Sequence, residues 1–306
     1  MTTIDVKNKQ TRFLLGVLIL VIANVGFSAK AVIIKLMYQY HVPTVSVVAL
    51  RMLFSVPIFM GVAFFMNQRK DNIALNKKDL AAIGGLGILS YYISSTLDFL
   101  GLQYVSAGVE RLILFTYPTI VLILSFFIYK KKVTAPQYIA VFLTYVGVAI
   151  AFVAEKGLGH QTDIIKGGIL VGTCAFTYAL YVVLTGQLVH RVGSIKFSAY
   201  AMIAATVPCL IQSYVYDGMD IFRFPKEVYT LTIWMAIAAT VIPIFLIVEG
   251  IRVVGASNSS IIGFVGPVAT IGLAYVFLDE KMSALQLFGT AIVLVGVFLI
   301  SWKGKS

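Results

Sequence analysis

Charged residues are scarce in this chain. Asp, Glu, Lys and Arg together make up 12% of its 306 residues, whereas hydrophobic residues make up 59%. The mean hydropathy is +0.94. A chain with so few charged side chains cannot cover itself with polar surface in water. The composition therefore excludes a water-soluble globular protein and places the chain in a lipid bilayer.

Cysteines and catalytic signatures are also few. The two cysteines, Cys174 and Cys209, both lie inside long apolar runs, where neither a disulfide nor a metal site is expected. The sequence contains no phosphate-binding loop, zinc signature, nucleophile elbow or paired-carboxylate motif. We therefore predict no cofactor, no metal ion and no enzymatic activity.

Long apolar runs dominate the sequence. A membrane-spanning helix needs about 20 mainly apolar residues, and ten runs meet this need: Phe13–Met37, Thr44–Phe65, Leu80–Gly101, Ser106–Tyr129, Ala135–Ala154, Gly167–Val189, Ile195–Tyr216, Val228–Ile251, Ser257–Leu278 and Ala284–Trp302. Such runs are predicted to be helices, because a helix satisfies its backbone polar groups internally. The first run lacks a cleavage site of small residues, so we expect it to be retained.

The chain contains an internal repeat. A shift of 149 positions aligns residues 101–152 with residues 250–301 without a gap and places Pro118 on Pro267. Both prolines lie inside a span, where the lost hydrogen bond favours a bend. Five apolar runs precede the hydrophilic stretch 155–166 and five follow it. We therefore predict two five-helix repeats, residues 1–155 and 156–306.

One loop of the repeat changes the sign of its charge between the copies. Its residues are Lys130, Lys131 and Lys132 in the first copy and Asp279, Glu280 and Lys281 in the second. Because cytoplasmic loops collect Lys and Arg, the copies are predicted to face opposite sides of the membrane. An inverted repeat is typical of secondary transporters, since two halves of opposed orientation provide two interconvertible states.

The basic excess follows the same rule. Of the 24 Lys and Arg residues, fifteen lie at the termini and in the even-numbered connections between runs, and five lie in the odd-numbered connections. This distribution predicts that both termini are cytoplasmic. The net charge of +11 is thus explained by membrane topology and indicates no nucleic-acid partner.

Ionisable residues inside the spans are the main candidates for function, because each costs about 2.5–3.5 kcal/mol at a helix centre. Glu249 lies toward the predicted inner side. The others fall in the predicted outer half of the membrane: Lys30, Lys35, Arg51, Asp98, Glu110 and Arg111. We therefore expect an outer binding region and gate built mainly by the first repeat.

Asp98 and Glu110 bracket a short turn, so we expect them to lie near one another and near Lys30 or Arg111. A charge-paired helix end close to the headgroups is the alternative for Glu110 and Arg111. For Asp98 we expect a role in proton coupling, because desolvation and a neighbouring cation act on the proton affinity of a carboxylate in opposite directions. Arg51 carries a fork of donors suited to a carboxylate on Asp98, on Glu110 or on a substrate.

Polar and aromatic stripes at helical spacing mark faces that either pack against a helix or line a cavity. The stripes are Asn24, Ser28, Ala31 and Lys35 in the first run, Cys174, Tyr178, Tyr181 and Thr185 in its counterpart, and Tyr91, Ser94 and Asp98 in the third run. Tyr117 and Trp234 are further candidates for cavity walls, with packing or an interfacial belt as the alternative. Lys35 alternatively extends to the headgroups.

The whole chain resembles the EamA branch of the drug/metabolite transporter superfamily. The resemblance is carried by the runs 101–108 and 110–118 and by their echo in 255–257, Gly266-Pro267 and 279–281. It implies a central cavity lined by spans one to four and six to nine, with spans five and ten peripheral, and alternating access by rocking of helix groups. Members of the superfamily move amino acids, other small metabolites, sugar phosphates, nucleotide sugars or drugs.

We therefore expect an all-α integral membrane protein with ten transmembrane helices in two inverted five-helix repeats. Its expected function is secondary transport across a bacterial inner membrane, as a monomer or homodimer, with a small molecule and the lipid bilayer as partners. The outer cationic excess indicates a cargo with a carboxylate, which suggests proton-coupled export of amino acids or related zwitterions. The alternatives are an importer of a vitamin- or nucleoside-like metabolite and, from another class, an integral membrane enzyme.

Overall fold

The computed structural model describes residues 3–69, 73–130, 133–157, 163–218, 220–255, 259 and 262–303. These residues are helical over most of every predicted span and contain no strand. Eight segments are long and apolar enough to cross a membrane, and two shorter apolar helices occupy the last two predicted spans. The all-α membrane fold expected from the apolar runs is confirmed, although the ninth span begins in residues that are mostly outside the described ranges.

The helices are α1 (Thr3–Gln39), α2 (Thr44–Gln68), α3 (Lys77–Gly87), α4 (Ser95–Gly101), α5 (Ala107–Leu114), α6 (Tyr117–Tyr129), α7 (Ala135–Gly157), α8 (Ile164–Val192), α9 (Ser194–Asp217), α10 (Lys226–Ala236), α11 (Ile242–Val254), α12 (Val265–Leu278) and α13 (Ala284–Lys303). A π-helical segment, Ile88–Ser94, joins α3 to α4, and another, Ile237–Val241, joins α10 to α11. The third and eighth spans therefore each consist of an α-helix, a π-helical segment and a second α-helix.

The two repeats interrupt their helices at equivalent positions. The π segments begin at Ile88 and Ile237, and these residues correspond under the shift that aligns the repeats. Turns also fall shortly before Pro118 and Pro267, where a helical backbone loses a donor. The breaks near these two prolines agree with the expected bends. The sequence contained no signal that predicted the π segments.

The charged loop of each repeat has the same backbone conformation. Lys130 ends α6 with φ 54°, and its counterpart Asp279 ends α12 with φ 52°. Both are non-glycine residues in the left-handed region, which is uncommon outside caps and turns. The loop has therefore kept its backbone geometry while its charge has changed sign.

Helices of one repeat pack between helices of the other. Helix α1 packs against α11 and α12 of the second repeat, and α8 packs against α4, α5 and α6 of the first. The first span of each repeat thus contacts the third and fourth spans of the other. This exchange places the middles of α1, α4, α5 and α8 side by side in the centre of the bundle.

Helices α7 and α13 pair at one side of the bundle, mainly with each other. Their backbones approach so closely that a Cβ added at Gly147 would lie 2.6 Å from the carbonyl oxygen of Gly289. A Cβ added at Gly289 would likewise lie 2.6 Å from the carbonyl oxygen of Gly147. Small residues permit this kind of contact between membrane helices. The arrangement matches the peripheral position implied for the fifth and tenth spans.

Candidate functional site

Lys30 and Asp98 form an ion pair between α1 and α4. The Lys30 Nζ lies 2.7 Å from Asp98 Oδ2, and the side chains are only 15% and 2% exposed. Asp98 is placed there because α4 begins directly after the π segment and turns its carboxylate toward α1. The proximity expected from the sequence is confirmed. Removing either partner of a buried pair leaves an uncompensated charge, which is strongly destabilising.

A second buried carboxyl, Glu110 on α5, lies against Asp98 and interacts with it directly. Glu110 is 1% exposed. Among the described residues, no N–H or O–H group donates a hydrogen bond to Asp98 Oδ1 or to either Glu110 oxygen. The structure therefore brings two carboxyls together, and among the described residues only Asp98 has an ion-pair partner. Unsatisfied buried polar atoms of this kind need a physical explanation.

Arg111 extends from α5 to the opposite repeat. Its guanidinium lies beside Gly266 of α12, where an added Cβ would be 2.8 Å from Arg111 Nη2. It also lies near Tyr117, Tyr178 and the carboxyl pair. The buried Nε of Arg111 has no hydrogen-bond partner in the part of the chain that the structure describes. The Arg111 guanidinium thus lies at the contact between the repeats and has at least one N–H group that is not used in a hydrogen bond.

Among the described residues Arg51 bonds to neither Asp98 nor Glu110, two of the three carboxylates that the sequence suggested, and the third, on a substrate, stays a prediction. Arg51 Nη2 donates to the backbone oxygen of Tyr91 at 3.2 Å, and its guanidinium stacks on the Phe99 ring at 4.8 Å. Tyr91 belongs to the π segment, which follows a different course from the regular helix that the sequence predicted. Arg51 therefore holds α2 against the third span and stays near Asp98 without bonding to it.

Tyrosine rings form a wall beside Arg111. The ring centroids of Tyr117 and Tyr178 are 5.2 Å apart, those of Tyr178 and Tyr181 are 5.8 Å apart, and those of Tyr91 and Tyr181 are 6.1 Å apart. The wall combines α6, α8 and the first π segment, so residues far apart in the sequence meet. These four candidates for a cavity wall therefore lie together.

The repeat-equivalent residues Phe115 and Phe264 also meet, with ring centroids 5.6 Å apart. They lie at the turns that interrupt the fourth and ninth spans. Their contact marks a place where the two repeats face each other. The sequence aligned these two phenylalanines but gave no sign that they would touch.

Several polar candidates form contacts between and within helices. Ser28 Oγ donates to the carbonyl oxygen of Gly266 at 2.8 Å, and Asn24 Nδ2 donates to the Leu20 carbonyl at 2.8 Å. Ser94 Oγ lies 2.7 Å from Thr177 Oγ1. Since Ser28 contacts the same glycine as Arg111, α1, α5 and α12 converge there. Of the two alternatives for these stripes, helix contact is the one seen for Ser28 and Ser94.

Lys35, Glu280 and the start of α5 are joined at one end of the bundle, which we call the Lys35 end. Lys35 Nζ lies 2.7 Å from Glu280 Oε1, and Ala107 N donates to Glu280 Oε2 at 2.9 Å. Lys35 and Glu280 border a cavity of about 620 Å³ that Gln103 also lines. The sequence identified Lys35 as a candidate but missed Glu280, because their contact spans 245 positions.

Glu155 is a second carboxylate at the start of α5 that the sequence did not single out. It accepts hydrogen bonds from Ser106 N and Ser106 Oγ, both at 2.6 Å, and from Gln286 Nε2 at 2.8 Å. Free N–H groups at a helix start favour carboxylates. Glu155 and Glu280 thus attach the first turn of α5 to α7, α12 and α13.

Glu249 and Trp234 are not brought into this site. Glu249 pairs with Arg252 of the same helix, at 2.9 Å from Arg252 Nε, and its side chain is 44% exposed. Trp234 is 62% exposed. Both candidates lie in the eighth span as predicted, but their side chains are partly or largely exposed, whereas the carboxyl pair is buried. Within the described ranges, no three His, Cys, Asp or Glu side chains are grouped to hold a metal ion.

Comparisons with known proteins agree with this architecture. Residues 14–153 and 165–302 match the EamA-like transporter family. The chain is 32% identical over 289 residues to the uncharacterized transporter YcbK of Bacillus subtilis, covering 93% of this chain and 91% of that protein. It is 23% identical over 320 residues to the uncharacterized transporter sll1319 of Synechocystis sp., with coverages of 96% and 95%.

A solved crystal structure supports the fold alone. It is 14% identical, has a TM-score of 0.63, and the match covers 95% of this chain and 99% of that one. The family match spans both halves of the chain, and the relative at 32% identity covers nearly all of it. The chain belongs to the EamA-like transporter family and is a multi-pass membrane transporter.

Proposed function

We propose that this transporter moves amino acids or related zwitterions out of the cytoplasm by alternating access, in exchange for protons. The observation that carries the proposal is the guanidinium of Arg111. It lies at the contact between the repeats with a buried Nε that has no partner among the described residues. A guanidinium of this kind can donate two parallel hydrogen bonds to the two oxygens of one carboxylate.

Arg111 is the best placed of the buried cations for this role. Lys30 is paired with Asp98. Arg51 also has a buried Nε without a partner among the described residues, but its guanidinium is bonded to the Tyr91 carbonyl and stacked on Phe99, both within the first repeat, whereas Arg111 lies against the second repeat. A cargo carboxylate on Arg111 places its ammonium group toward Asp98 and Glu110, and its apolar portion toward the tyrosine wall. The site then offers complementary groups to each part of a zwitterion.

The position of Arg111 also links binding to a change of conformation. It contacts Gly266 of the other repeat, so parting of α5 from α12 alters its surroundings. A ligand shifts an equilibrium between two states only by its different affinity for them. We propose that cargo bound to Arg111 favours one arrangement of the repeats, while Lys35 and Glu280 hold the predicted outer end closed in the other.

Transport by purified protein in lipid vesicles tests the cargo class. The panel contains labelled amino acids, organic anions and organic cations, and Arg111→Gln is compared with the wild type. We expect carboxylate-bearing cargo and a rise in KM of about 30-fold or more in the variant, because losing one partner of a buried charge pair costs about 2–5 kcal/mol. Arg223→Gln is the matched control, since the Arg223 side chain is 81% exposed.

Two outcomes contradict the cargo proposal: transport restricted to apolar cations, and an Arg111→Gln variant with an unchanged KM for carboxylates. The direction of transport is tested in the host. Sensitivity to an excess of the metabolite after loss of the protein supports export, whereas failure to grow on a scarce nutrient supports import.

A further inference from the structure

We infer that Glu110, rather than Asp98, is the group that binds and releases the coupling proton, and that the ammonium group of the cargo replaces this proton. The inference rests on the proposed function and assigns its proton site. Asp98 is left as the counter-ion of Lys30. The cargo and the proton then occupy the same place in turn, which is the requirement for exchange of one for the other.

Asp98 is poorly suited to exchange a proton. Its Oδ2 lies 2.7 Å from Lys30 Nζ inside the bundle. If Asp98 became neutral in this arrangement, Lys30 would lose its ion-pair partner and would need Glu110 to give up its proton and take that place, and an unpaired charge is expensive inside a membrane. The pair is therefore most stable with both groups charged.

Glu110 has the opposite surroundings. Neither of its oxygens accepts a hydrogen bond from any donor in the described ranges, and the residue is 1% exposed. An ionised carboxylate without donors carries the full cost of desolvation. A protonated Glu110 has an O–H group that donates to Asp98 Oδ1, the oxygen of the pair's other carboxyl that lacks a donor. One proton thus removes the charge of Glu110 and provides a hydrogen bond between the two carboxyls.

The groups around the two carboxyls come from several elements. Those that face the pair are Lys30 and Tyr38 of α1, Arg51 of α2, Arg111 of α5 and Cys174 of α8. Two further carboxylates lie on elements packed against α5. Glu155 and Glu280 accept hydrogen bonds from backbone N–H groups at the start of α5. Tyr117 and Tyr178 lie on the far side of Arg111.

This arrangement explains how a zwitterion displaces the proton. An incoming carboxylate neutralises Arg111, and the ammonium group that accompanies it donates to the Glu110 and Asp98 oxygens. Glu110 then releases its proton to water and remains as a carboxylate paired with that ammonium. When the cargo leaves, Glu110 again lacks donors and takes up a proton. No covalent bond of the cargo changes.

Infrared spectroscopy of the full-length protein in lipid vesicles tests the proton site without any cargo. At neutral pH we expect the carbonyl-stretch band of a protonated carboxylic acid, which loses intensity as the pH is raised. Glu110→Gln should remove the band. Glu227→Gln is the matched control and should retain it, because Glu227 is exposed at the start of α10. A band that persists in Glu110→Gln, that is missing from the wild type or that never declines with pH would overturn the inference.

Glu110→Asp provides a second readout if Glu110→Gln does not yield folded protein. Shortening the side chain keeps an acid at this position but changes its hydrogen bond to Asp98. The band should move in frequency if it belongs to Glu110. An unchanged frequency in a folded Glu110→Asp protein contradicts the assignment.

Transport measurements connect the proton site to coupling. In vesicles with an imposed pH gradient, Glu110→Gln should lose the stimulation of net flux by the gradient, and the KM for exchange between equal cargo pools should rise because the cargo ammonium loses its carboxylate partner. Stimulation equal to that of the wild type would contradict the inference. If the wild type moves no zwitterion, the proposed cargo is wrong, whereas the infrared result still decides where the proton binds.

Discussion

Lys30 and Asp98 are held together in the middle of the bundle, and a change to one acts on the other. Their ion pair joins α1 to α4 and leaves Asp98 only 1% exposed. Asp98→Asn keeps the size of the side chain and removes its charge, so Lys30 loses its anion. The neighbouring carboxyl of Glu110 then becomes the available counter-ion for Lys30.

Asp98→Asn should therefore abolish the pH dependence of transport, and exchange between equal cargo pools should continue with a higher KM because the cargo ammonium loses an acceptor. The physical reason is that a Glu110 carboxylate paired with Lys30 no longer takes up a proton. The measurement compares net flux at several pH values with exchange at one pH. Net flux that keeps the wild-type pH profile would show that Asp98 is only a paired helix end.

The element that carries the site is α5, whose first turn is held by two carboxylates. Glu155 accepts from Ser106, and Glu280 accepts from Ala107 while it pairs with Lys35. Carboxylates near a helix start contribute about 0.3–1 kcal/mol each when exposed and up to about 2 kcal/mol when partly buried. The two contacts thus hold α5 against α7 of its own repeat and against the end of α12 in the other repeat.

Glu280→Gln should loosen the Lys35 end, because the neutral side chain bonds weakly to Lys35 and to the helix start. A single cysteine at Ser28, a residue 1% exposed between α1 and α12, should then react faster with a small polar thiol reagent. Cys174 and Cys209 are replaced beforehand. Asp279→Asn is the control, because its side chain is 86% exposed. Equal rates in the two variants would show that Glu280 does not close this end.

For the whole molecule, the main structural feature is that equivalent breaks and caps recur in both repeats although the charge of one loop differs. Lys130 and Asp279 share a backbone conformation and occupy equivalent helix ends. If the repeats are inverted, these two positions lie on opposite sides of the membrane. The charge distribution predicts that Lys130 faces the cytoplasm.

Single cysteines at Lys130 and Asp279 test this topology in intact cells, again after replacement of Cys174 and Cys209. A reagent that cannot cross the membrane should modify the cysteine at position 279 and spare the one at position 130. Permeabilised cells provide the control, because both positions should then react. Equal modification in intact cells would contradict the inverted arrangement and the alternating access that depends on it.

Patterns that are local or periodic in the sequence were sufficient to predict the helical fold. A long apolar run has one stable structure in a bilayer, because only a helix satisfies its own backbone groups. The repeat likewise aligned Pro118 with Pro267, near the breaks that the structure contains. Asp98 was predicted to lie near Glu110, and near Lys30 or Arg111, because Asp98 and Glu110 bracket a short turn in the predicted outer half of the membrane.

Only the tertiary structure decided which groups meet. The contact between Lys30 and Asp98 spans 68 positions and that between Lys35 and Glu280 spans 245, so helix packing sets both. The sequence suggested a carboxylate as the partner of Arg51, whereas in the structure Arg51 donates to a backbone carbonyl. That carbonyl belongs to the π segment, which gives the third span a different course. The lack of donors around Glu110 is likewise a property of the packed bundle, since a missing partner is visible only when every neighbour has been placed.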